Sequence, residues 1–224
     1  MLSIFMDPAL IELIQWPMAL EALSSLCYPR PRFLSGYVIS KPPRGPALYW
    51  HQDWWGWHDP VSYTELPQQL FLMYYLVQTT RENGCLRIIP GSHRHRHTLH
   101  DAGVEAHSDK ARYSNGDGPI HQAYEDEQDV PVMAGDLVVG DARLLHAAHA
   151  NKSDQRRTCI TLWYLPTFDQ LPESLQVAIA EQYLENKPAE GDAQAWTAID
   201  ALVPRCDSKA SATPSDRDPD TRLV

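Results

Sequence analysis

Six short runs rich in β-branched, aromatic and aliphatic residues occur between residues 33 and 165, separated by Pro, Gly and Asn. The runs are FLSGYVIS, PALYWHQ, LFLMYYLV, LRIIP, LVVG and TCITLWYL. Runs of this length and composition predict strands, and the residues between them predict turns. Because no helical pattern separates the runs, we expect an antiparallel sandwich or barrel, a mainly β fold without crossover helices.

Helices are predicted only before and after this region. Asp7 and Pro8 form an N-cap and first-turn pair at the start of one helix, and a second helix is expected over residues 18–27. Apolar residues at helical spacing predict two further helices over residues 171–184 and 193–203. The chain is therefore expected to fold as a β core with flanking α-helices.

The length of 224 residues favours one domain with a single core. We expect this domain to span residues 1–204. Within it, residues 91–130 turn polar and are expected to form a long insertion or lid. Residues 205–224 have almost no apolar content, so burial cannot offset the entropy of ordering them, and a disordered tail is predicted.

Charge and cysteine usage restrict the partners. The chain has 19 Lys and Arg against 29 Asp and Glu, a formal charge of −10, which has the wrong sign for nucleic acid or an anionic membrane surface. No apolar run approaches the roughly 20 residues needed to span a bilayer. The four cysteines form no CxxC pair, which argues against structural zinc and fits a reducing cytoplasm. We expect a soluble cytoplasmic protein, with a monomer favoured and a small molecule as its partner.

One short motif points to metal chemistry. His51 and Asp53 lie two residues apart in a predicted strand, so both side chains project from the same face. His146, in the run GDLVVGDARLLHAAH, is a candidate third ligand. Two histidines and one carboxylate leave three adjacent positions open on an octahedral ion, which is the arrangement of non-haem Fe(II) oxygenases. For the HxD pattern alone, a hydrogen bond on a strand surface is the simpler interpretation.

The wider context of this motif resembles a known family. HQD, then ENGCLRIIPGSHR, then AGDLVVGDARLLHAAHANKSDQRRTCITLWY follow one another in the order and spacing of the phytanoyl-CoA dioxygenase (phytanoyl-CoA hydroxylase-like) family of Fe(II)/2-oxoglutarate-dependent oxygenases. The similarity extends over roughly residues 33–166. It implies a double-stranded β-helix, which is a jelly-roll, cupin-like barrel. It also implies His51, Asp53 and His146 as Fe(II) ligands, with 2-oxoglutarate and O₂ as cosubstrates.

The same resemblance assigns a cosubstrate residue. In this family an Arg at the place of Arg157, 11 residues after the distal His, binds the distal carboxylate of 2-oxoglutarate. The planar fork of a guanidinium suits a carboxylate because bidentate pairing fixes both position and angle. Arg156 is the neighbouring alternative, and strand alternation allows only one of the two to point inward. Tyr49 shares the face of His51 on a regular strand and is a second candidate for contact with 2-oxoglutarate, with core packing as the alternative.

Aromatic residues and further histidines surround these positions. Four of the seven tryptophans lie at positions 50, 54, 55 and 57. Trp54 and Trp55 are interpreted as candidates for the substrate pocket, with a plain core role as the alternative. His149 competes with His146 for the distal ligand role, but the pattern GDxRLLH favours His146. The histidines at 93, 95, 97 and 100 are interpreted as a structural or solvated surface.

The resemblance implies an enzyme that oxidises a small organic substrate, most simply by hydroxylation, while 2-oxoglutarate is decarboxylated to succinate. Asp53 bears on the outcome, because related iron halogenases carry a small residue at this place so that chloride can bind. The alternatives are a catalytically silent jelly-roll that binds a metal or ligand, and a metal-dependent isomerase or hydrolase of cupin type. The latter would not require Arg157 for a dicarboxylate.

Overall fold

A computed structural model describes residues 2–103, 118–186 and 193–224, together with residues 108, 111 and 116. Most of residues 104–117, the centre of the expected insertion or lid, lies outside the described residues. The strands of the described part are β1 (Leu2–Ser3), β2 (Arg32–Lys41), β3 (Leu48–His51), β4 (Leu70–Tyr75), β5 (Leu86–Ile88), β6 (Gln128–Val130), β7 (Leu137–Asp141), β8 (His146–Ala148) and β9 (Arg157–Leu165). Its helices are α1 (Pro8–Glu12), α2 (Pro17–Ser25), α3 (Glu173–Asn186) and α4 (Ala193–Ala198).

The strands form two antiparallel sheets whose order defines the fold. The larger sheet has the order β1-β2-β9-β4-β7 and the smaller has the order β3-β8-β5-β6. From β2 onward the chain passes repeatedly from one sheet to the other, with β5 and β6 as the only consecutive pair within a sheet among the described strands. This interleaving of a five-stranded and a four-stranded sheet is the jelly-roll, or double-stranded β-helix. The fold class predicted from the sequence is confirmed, although the two sheets face each other rather than closing into one hydrogen-bonded barrel.

Side-chain alternation along β9 separates two apolar layers. Ile160, Leu162 and Tyr164 are buried on the outer face of the larger sheet, where they pack with residues of the N-terminal helices. Cys159 lies on the opposite face, between the sheets, in a cluster with residues of β4. A strand that is covered on both faces has a nearly continuous apolar sequence, and TCITLWYL in β9 is such a sequence. The inner face of β9 is therefore directed towards the space between the sheets.

The flanking helices form close to where the sequence predicts them. The Asp7 carboxylate accepts a hydrogen bond from the Ala9 backbone N–H at 2.9 Å and caps α1. Helix α2 begins at Pro17, one residue before its predicted start, because a proline in the first turn has no N–H to leave unpaired. Helix α4 ends at Ala198 and continues as a 3₁₀ turn over Asp200–Leu202. No helix among the described residues has the length and apolarity to cross a bilayer.

The C-terminal tail differs from its prediction, because the structure packs residues 205–224 against the domain. Leu223 is only 4% exposed. Asp216 forms a β-bridge with Gly56, and the Arg96 guanidinium donates to the Asp220 carbonyl at 2.8 Å. The composition of the tail alone predicts disorder, but one apolar anchor and backbone groups on the rest of the domain supply the partners that order it.

Candidate metal centre

Pairing between β3 and β8 brings the two predicted histidine ligands together. His51 lies opposite His146 in the ladder, and their ring centroids are 4.2 Å apart. Asp53 follows the end of β3, where its backbone N–H donates to the Ala142 carbonyl at 2.8 Å. The Asp53 carboxylate lies 3.7 Å from Nε2 of each histidine. One ligand atom from each of the three residues lies within 4.8 Å of the other two, so the three can bind one ion.

Backbone hydrogen bonds fix the histidine tautomers. His51 Nδ1 lies 3.0 Å from the Tyr49 carbonyl, and His146 Nδ1 lies 2.9 Å from the Leu144 carbonyl. A carbonyl can only accept, so each Nδ1 carries a proton, and in the neutral imidazole the lone pair available to a metal lies on Nε2. All three ligand residues are buried. Two imidazoles and one carboxylate match the donor set of a 2-His-1-carboxylate Fe(II) site.

Trp163 supports the carboxylate and was not singled out by the sequence reasoning. Its indole Nε1 donates a hydrogen bond to Asp53 Oδ2 at 2.7 Å. The sequence contains a signal for this residue. Trp163 lies six residues after Arg157 on β9, and an even offset on a strand places both side chains on one face. This hydrogen bond orients the carboxylate and leaves Oδ1 directed towards His51.

We expect Trp163→Phe to weaken Fe(II) binding about 10- to 100-fold, the usual effect of removing a partner that orients a metal ligand. The phenyl ring keeps most of the buried volume, so the loss would come from the missing N–H donor. Anaerobic Fe(II) titration of the purified variant measures it. Trp50→Phe removes an indole whose N–H bonds the Gln122 carbonyl instead, and this control should leave Fe(II) affinity unchanged.

Phe71 and Gly140 form the packing wall behind His146. The Phe71 ring centroid lies 5.1 Å from that of His146, and Phe71 pairs with Gly140 of β7. A Cβ at residue 140 would lie 2.1 Å from Cζ of the Phe71 ring. Glycine is needed here because the phenyl ring occupies the space of a side chain.

Gly140→Ala should lower the free energy of unfolding by about 1–3 kcal/mol, the typical cost of overpacking a core. The displaced Phe71 ring would press on His146, so Fe(II) affinity should fall as well. Chemical denaturation and Fe(II) titration measure the two effects. Gly135→Ala is no matched control because its φ is +92°. Val138→Ala, on the same strand, is a better comparison, since it removes volume from the core and should spare the His146 contact.

Arg157, not Arg156, points into the space between the sheets. Arg157 is 4% exposed, and its guanidinium carbon lies 5.4 Å from the ring centroid of Tyr75. One terminal nitrogen donates to Cys159 Sγ at 3.4 Å, and Nε has no hydrogen-bond partner among the described residues. Arg156 is exposed and donates to the Ser40 hydroxyl at 3.3 Å. A buried guanidinium with an unpaired donor is suited to an anionic ligand.

Lys41 adds a second, half-buried cation beside Arg157 that the sequence analysis does not identify. The two residues are paired across β2 and β9. Burial, followed by the charges of Arg157 and Arg87, lowers the pKa of Lys41 to about 8. Its ammonium donates to the His149 carbonyl at 2.5 Å. This end of the site is therefore cationic and poorly hydrated, as the binding of a dicarboxylate requires.

The predicted pocket tryptophans are placed in the core instead. Trp54 and Trp55 stack at a centroid distance of 5.6 Å and pack with apolar residues of α3 such as Leu175. The Trp54 indole donates to the Ser62 hydroxyl at 2.8 Å. The prediction relied on strand alternation, but β3 ends at His51, so alternation does not apply to the residues that follow. Their assignment to the substrate pocket is corrected to a core role.

Tyr49 lies beside the site, as its spacing predicts. Its ring contacts the His51 ring at a centroid distance of 5.3 Å, and it also packs in an apolar cluster with Ile89 and Leu145. Contact with 2-oxoglutarate stays a prediction for this residue. His149 does not join His51 in the ligand set, because its Nε2 lies 2.6 Å from the Asp129 carboxylate.

A small cavity adjoins His51 on the side of the tail. Its volume is about 30 Å³, which is room for one or two waters. His100 lines it, and burial, followed by neighbouring positive charge, lowers the pKa of this imidazole to about 4. His97 and His100 also form a reciprocal capping box on a 3₁₀ turn, in keeping with the structural role expected for this histidine group. The other lining residues are Trp50, Gln52, Leu99, Gly103, Ile120, Leu145, Arg217 and Asp218.

The jelly-roll and the convergence of His51, Asp53 and His146 define the class of fold and site found in non-haem iron oxygenases. Comparison with known families identifies the family. Residues 14–159 match the model of the family described as phytanoyl-CoA dioxygenase (PhyH). The chain belongs to this family, and the match includes the three candidate ligands and Arg157.

Individual relatives share this region. The chain is 32% identical over 150 residues to phytanoyl-CoA dioxygenase 1 of Oryza sativa subsp. japonica, covering 64% of this chain and 48% of the relative. It is 29% identical over 137 residues to a probable alpha-ketoglutarate-dependent hypophosphite dioxygenase of Stutzerimonas stutzeri, covering 59% and 44%. The chain spans about half the length of the curated relatives it matches.

Solved structures are also similar. The apo form of the non-heme monooxygenase ThoJ is 26% identical, with a TM-score of 0.48, over 68% of this chain and 53% of that one. The fold assignment for this protein rests on its own strand order.

Proposed function

We propose that this protein is an Fe(II)- and 2-oxoglutarate-dependent dioxygenase that oxidises a small organic substrate. The observation that carries the proposal is the buried set of two tautomer-fixed imidazoles and one carboxylate, His51, His146 and Asp53, in the same inter-sheet space as a buried guanidinium. Such a site, when loaded, supplies O₂ activation coupled to the decarboxylation of 2-oxoglutarate to succinate. Family membership supports the same reaction class.

Each residue of the site has a defined part in this proposal. His51, His146 and Asp53 would hold the ion on one face and leave the other face to the cosubstrates. Arg157 would bind the distal carboxylate of 2-oxoglutarate through its unpaired Nε–H, with Lys41 adding positive charge. The buried walls exclude water, which strengthens these charge interactions.

Hydroxylation is the favoured outcome. Asp53 retains its carboxylate, and Trp163 holds one of its oxygens by a hydrogen bond. A carboxylate in this position occupies the site at which a halide would otherwise bind. A set of two histidines and one carboxylate would therefore favour oxygen insertion over halogenation.

The substrate would enter beside His51, through the cavity bordered by the tail. This cavity has apolar walls from Leu99 and Leu145 and a charged edge from Arg217 and Asp218. At about 30 Å³ it is too small for an organic substrate. Substrate binding would therefore displace the tail, which carries Arg217 and Asp218, from the space beside His51.

Succinate formation tests the proposal. The purified protein with Fe(II), O₂ and 2-oxoglutarate should release succinate slowly without substrate, and a library of small organic molecules should contain some that accelerate the release. Omission of Fe(II) should abolish it. Protein that binds Fe(II) and 2-oxoglutarate but forms no succinate under any condition would favour a silent binding protein instead.

A further inference from the structure

A second group of metal-ligating side chains lies apart from the iron ligands. One ligand atom each from Cys85, Asp129 and His149 lies within 4.8 Å of the other two. Cys85 directly precedes β5, Asp129 lies in β6, and His149 directly follows β8. These strands are consecutive neighbours in the smaller sheet, in the order β8-β5-β6. The three side chains thus converge from three adjacent strands.

The backbone around Cys85 is held in place before any ion binds. The Asn83 side chain accepts from the Thr80 N–H at 2.7 Å, and the Cys85 N–H donates to the Thr80 carbonyl at 2.9 Å. The His149 N–H donates to the Cys85 carbonyl at 3.1 Å. Gly84 has a φ of +92°, and a Cβ there would lie 2.8 Å from the His149 carbonyl oxygen, so only glycine allows this approach. The turn therefore presents Cys85 and His149 in a fixed relation, which is the preorganisation a metal site requires.

The donor set is chemically distinct from that of the iron site. A thiolate, an imidazole and a carboxylate are a set that Zn²⁺ binds in tetrahedral geometry, with the fourth position left to water. The two anionic ligands would cancel the charge of a divalent ion. Side-chain exposures of 29% for Asp129 and 14% for His149 give the ion a route from solvent that does not pass the iron site.

An ion pair explains only part of this arrangement. His149 Nε2 lies 2.6 Å from the Asp129 carboxylate, and Arg81 lies 3.6 Å from the same carboxylate. That network accounts for two of the three side chains and does not need the fully buried Cys85 beside them. We propose that Cys85, Asp129 and His149 form a second metal site, selective for Zn²⁺, that joins three neighbouring strands of the smaller sheet.

Cobalt is the probe for this site. Co²⁺ bound to a thiolate gives a sulfur-to-metal charge-transfer band in the near ultraviolet, and His51, Asp53 and His146 contain no sulfur. Titration of the full chain with Co²⁺ should produce this band in the wild type. It should also produce it in Asp53→Ala, so the result does not depend on the proposed dioxygenase function.

Substitutions of single residues test which side chains bind the metal. Cys85→Ala should lose the band, and His149→Phe should weaken Co²⁺ binding at this site at least 10-fold, whereas Cys27→Ala, which removes an exposed cysteine, should retain the wild-type band and affinity. In the Asp53→Ala background, Zn²⁺ should raise the Tm, and adding Cys85→Ala should remove the increase. Absence of the band in the wild type, its persistence in Cys85→Ala, or unchanged affinity in His149→Phe would overturn the proposal. If Cys85→Ala does not fold, the Co²⁺ affinity of His149→Phe tests the proposed metal site.

Discussion

Asp53→Ala is expected to weaken Fe(II) binding more than about 100-fold, because removing a ligand costs more than the 10- to 100-fold typical of a group that only orients a ligand. Imidazoles bind a metal in the neutral form, so a variant that keeps only His51 and His146 loses the one negative charge that would offset the ion. Turnover of 2-oxoglutarate should fall to background. Anaerobic Fe(II) titration and succinate assays measure both effects.

The control is the removal of a carboxylate elsewhere. Asp154 pairs with Arg44 on the surface with a side-chain exposure of 81%, so Asp154→Ala should bind Fe(II) as the wild type does. Asp53→Ala also leaves the N–H of the half-buried Trp163 without its acceptor, which costs up to about 1–3 kcal/mol of stability. Binding should therefore be measured well below the Tm. Fe(II) affinity within 10-fold of wild type in a folded Asp53→Ala protein would exclude Asp53 as a ligand.

Arg157→Ala is expected to give the second large effect, this time on 2-oxoglutarate and not on iron. Truncating one partner of a buried, hydrogen-bonded charge pair costs about 2–5 kcal/mol, or roughly 30- to 4,000-fold in affinity. The KM for 2-oxoglutarate should rise within this range, while Fe(II) affinity should stay near that of wild type. Arg157→Lys should recover only part of the loss, because an ammonium keeps the charge but not the planar fork.

Arg156→Ala is a matched control, since it removes the same side chain one residue earlier on the exposed face. It should change neither Fe(II) nor 2-oxoglutarate binding. Equal losses in Arg156→Ala and Arg157→Ala, or equal losses of iron and cosubstrate in Arg157→Ala, would contradict the assigned role.

The sequence predicts the fold well where periodicity and punctuation act over several residues. The apolar runs correspond to β2, β3, β4, β5, β7 and β9. Strand alternation leaves Arg156 and Arg157 on opposite faces, and the structure shows that Arg157 is the inward one. The order of strands in the two sheets follows from long-range pairing, which a local pattern does not encode. It entered the prediction only through the family resemblance.

The errors have local physical causes. The prediction for Trp54 and Trp55 extends strand alternation beyond the end of β3, where the rule no longer holds. The tail was judged by its own composition, whereas Leu223 is buried by residues far away in the sequence. The proposed second metal site has no sequence signal, because Cys85, Asp129 and His149 come together only through the pairing of β5 with β6 and β8. A site that takes one ligand from each of three strands contains no short motif comparable to the HxD of His51 and Asp53.

The measurement that tests the central claim most directly is visible absorption under anaerobic conditions. Fe(II) and 2-oxoglutarate added together to the wild-type protein should give a metal-to-ligand charge-transfer band, because a 2-oxo acid chelating a protein-bound Fe(II) absorbs in the visible. The band should be absent with either component alone and in Asp53→Ala. A folded wild-type protein that develops no such band at saturating Fe(II) and 2-oxoglutarate would contradict the account.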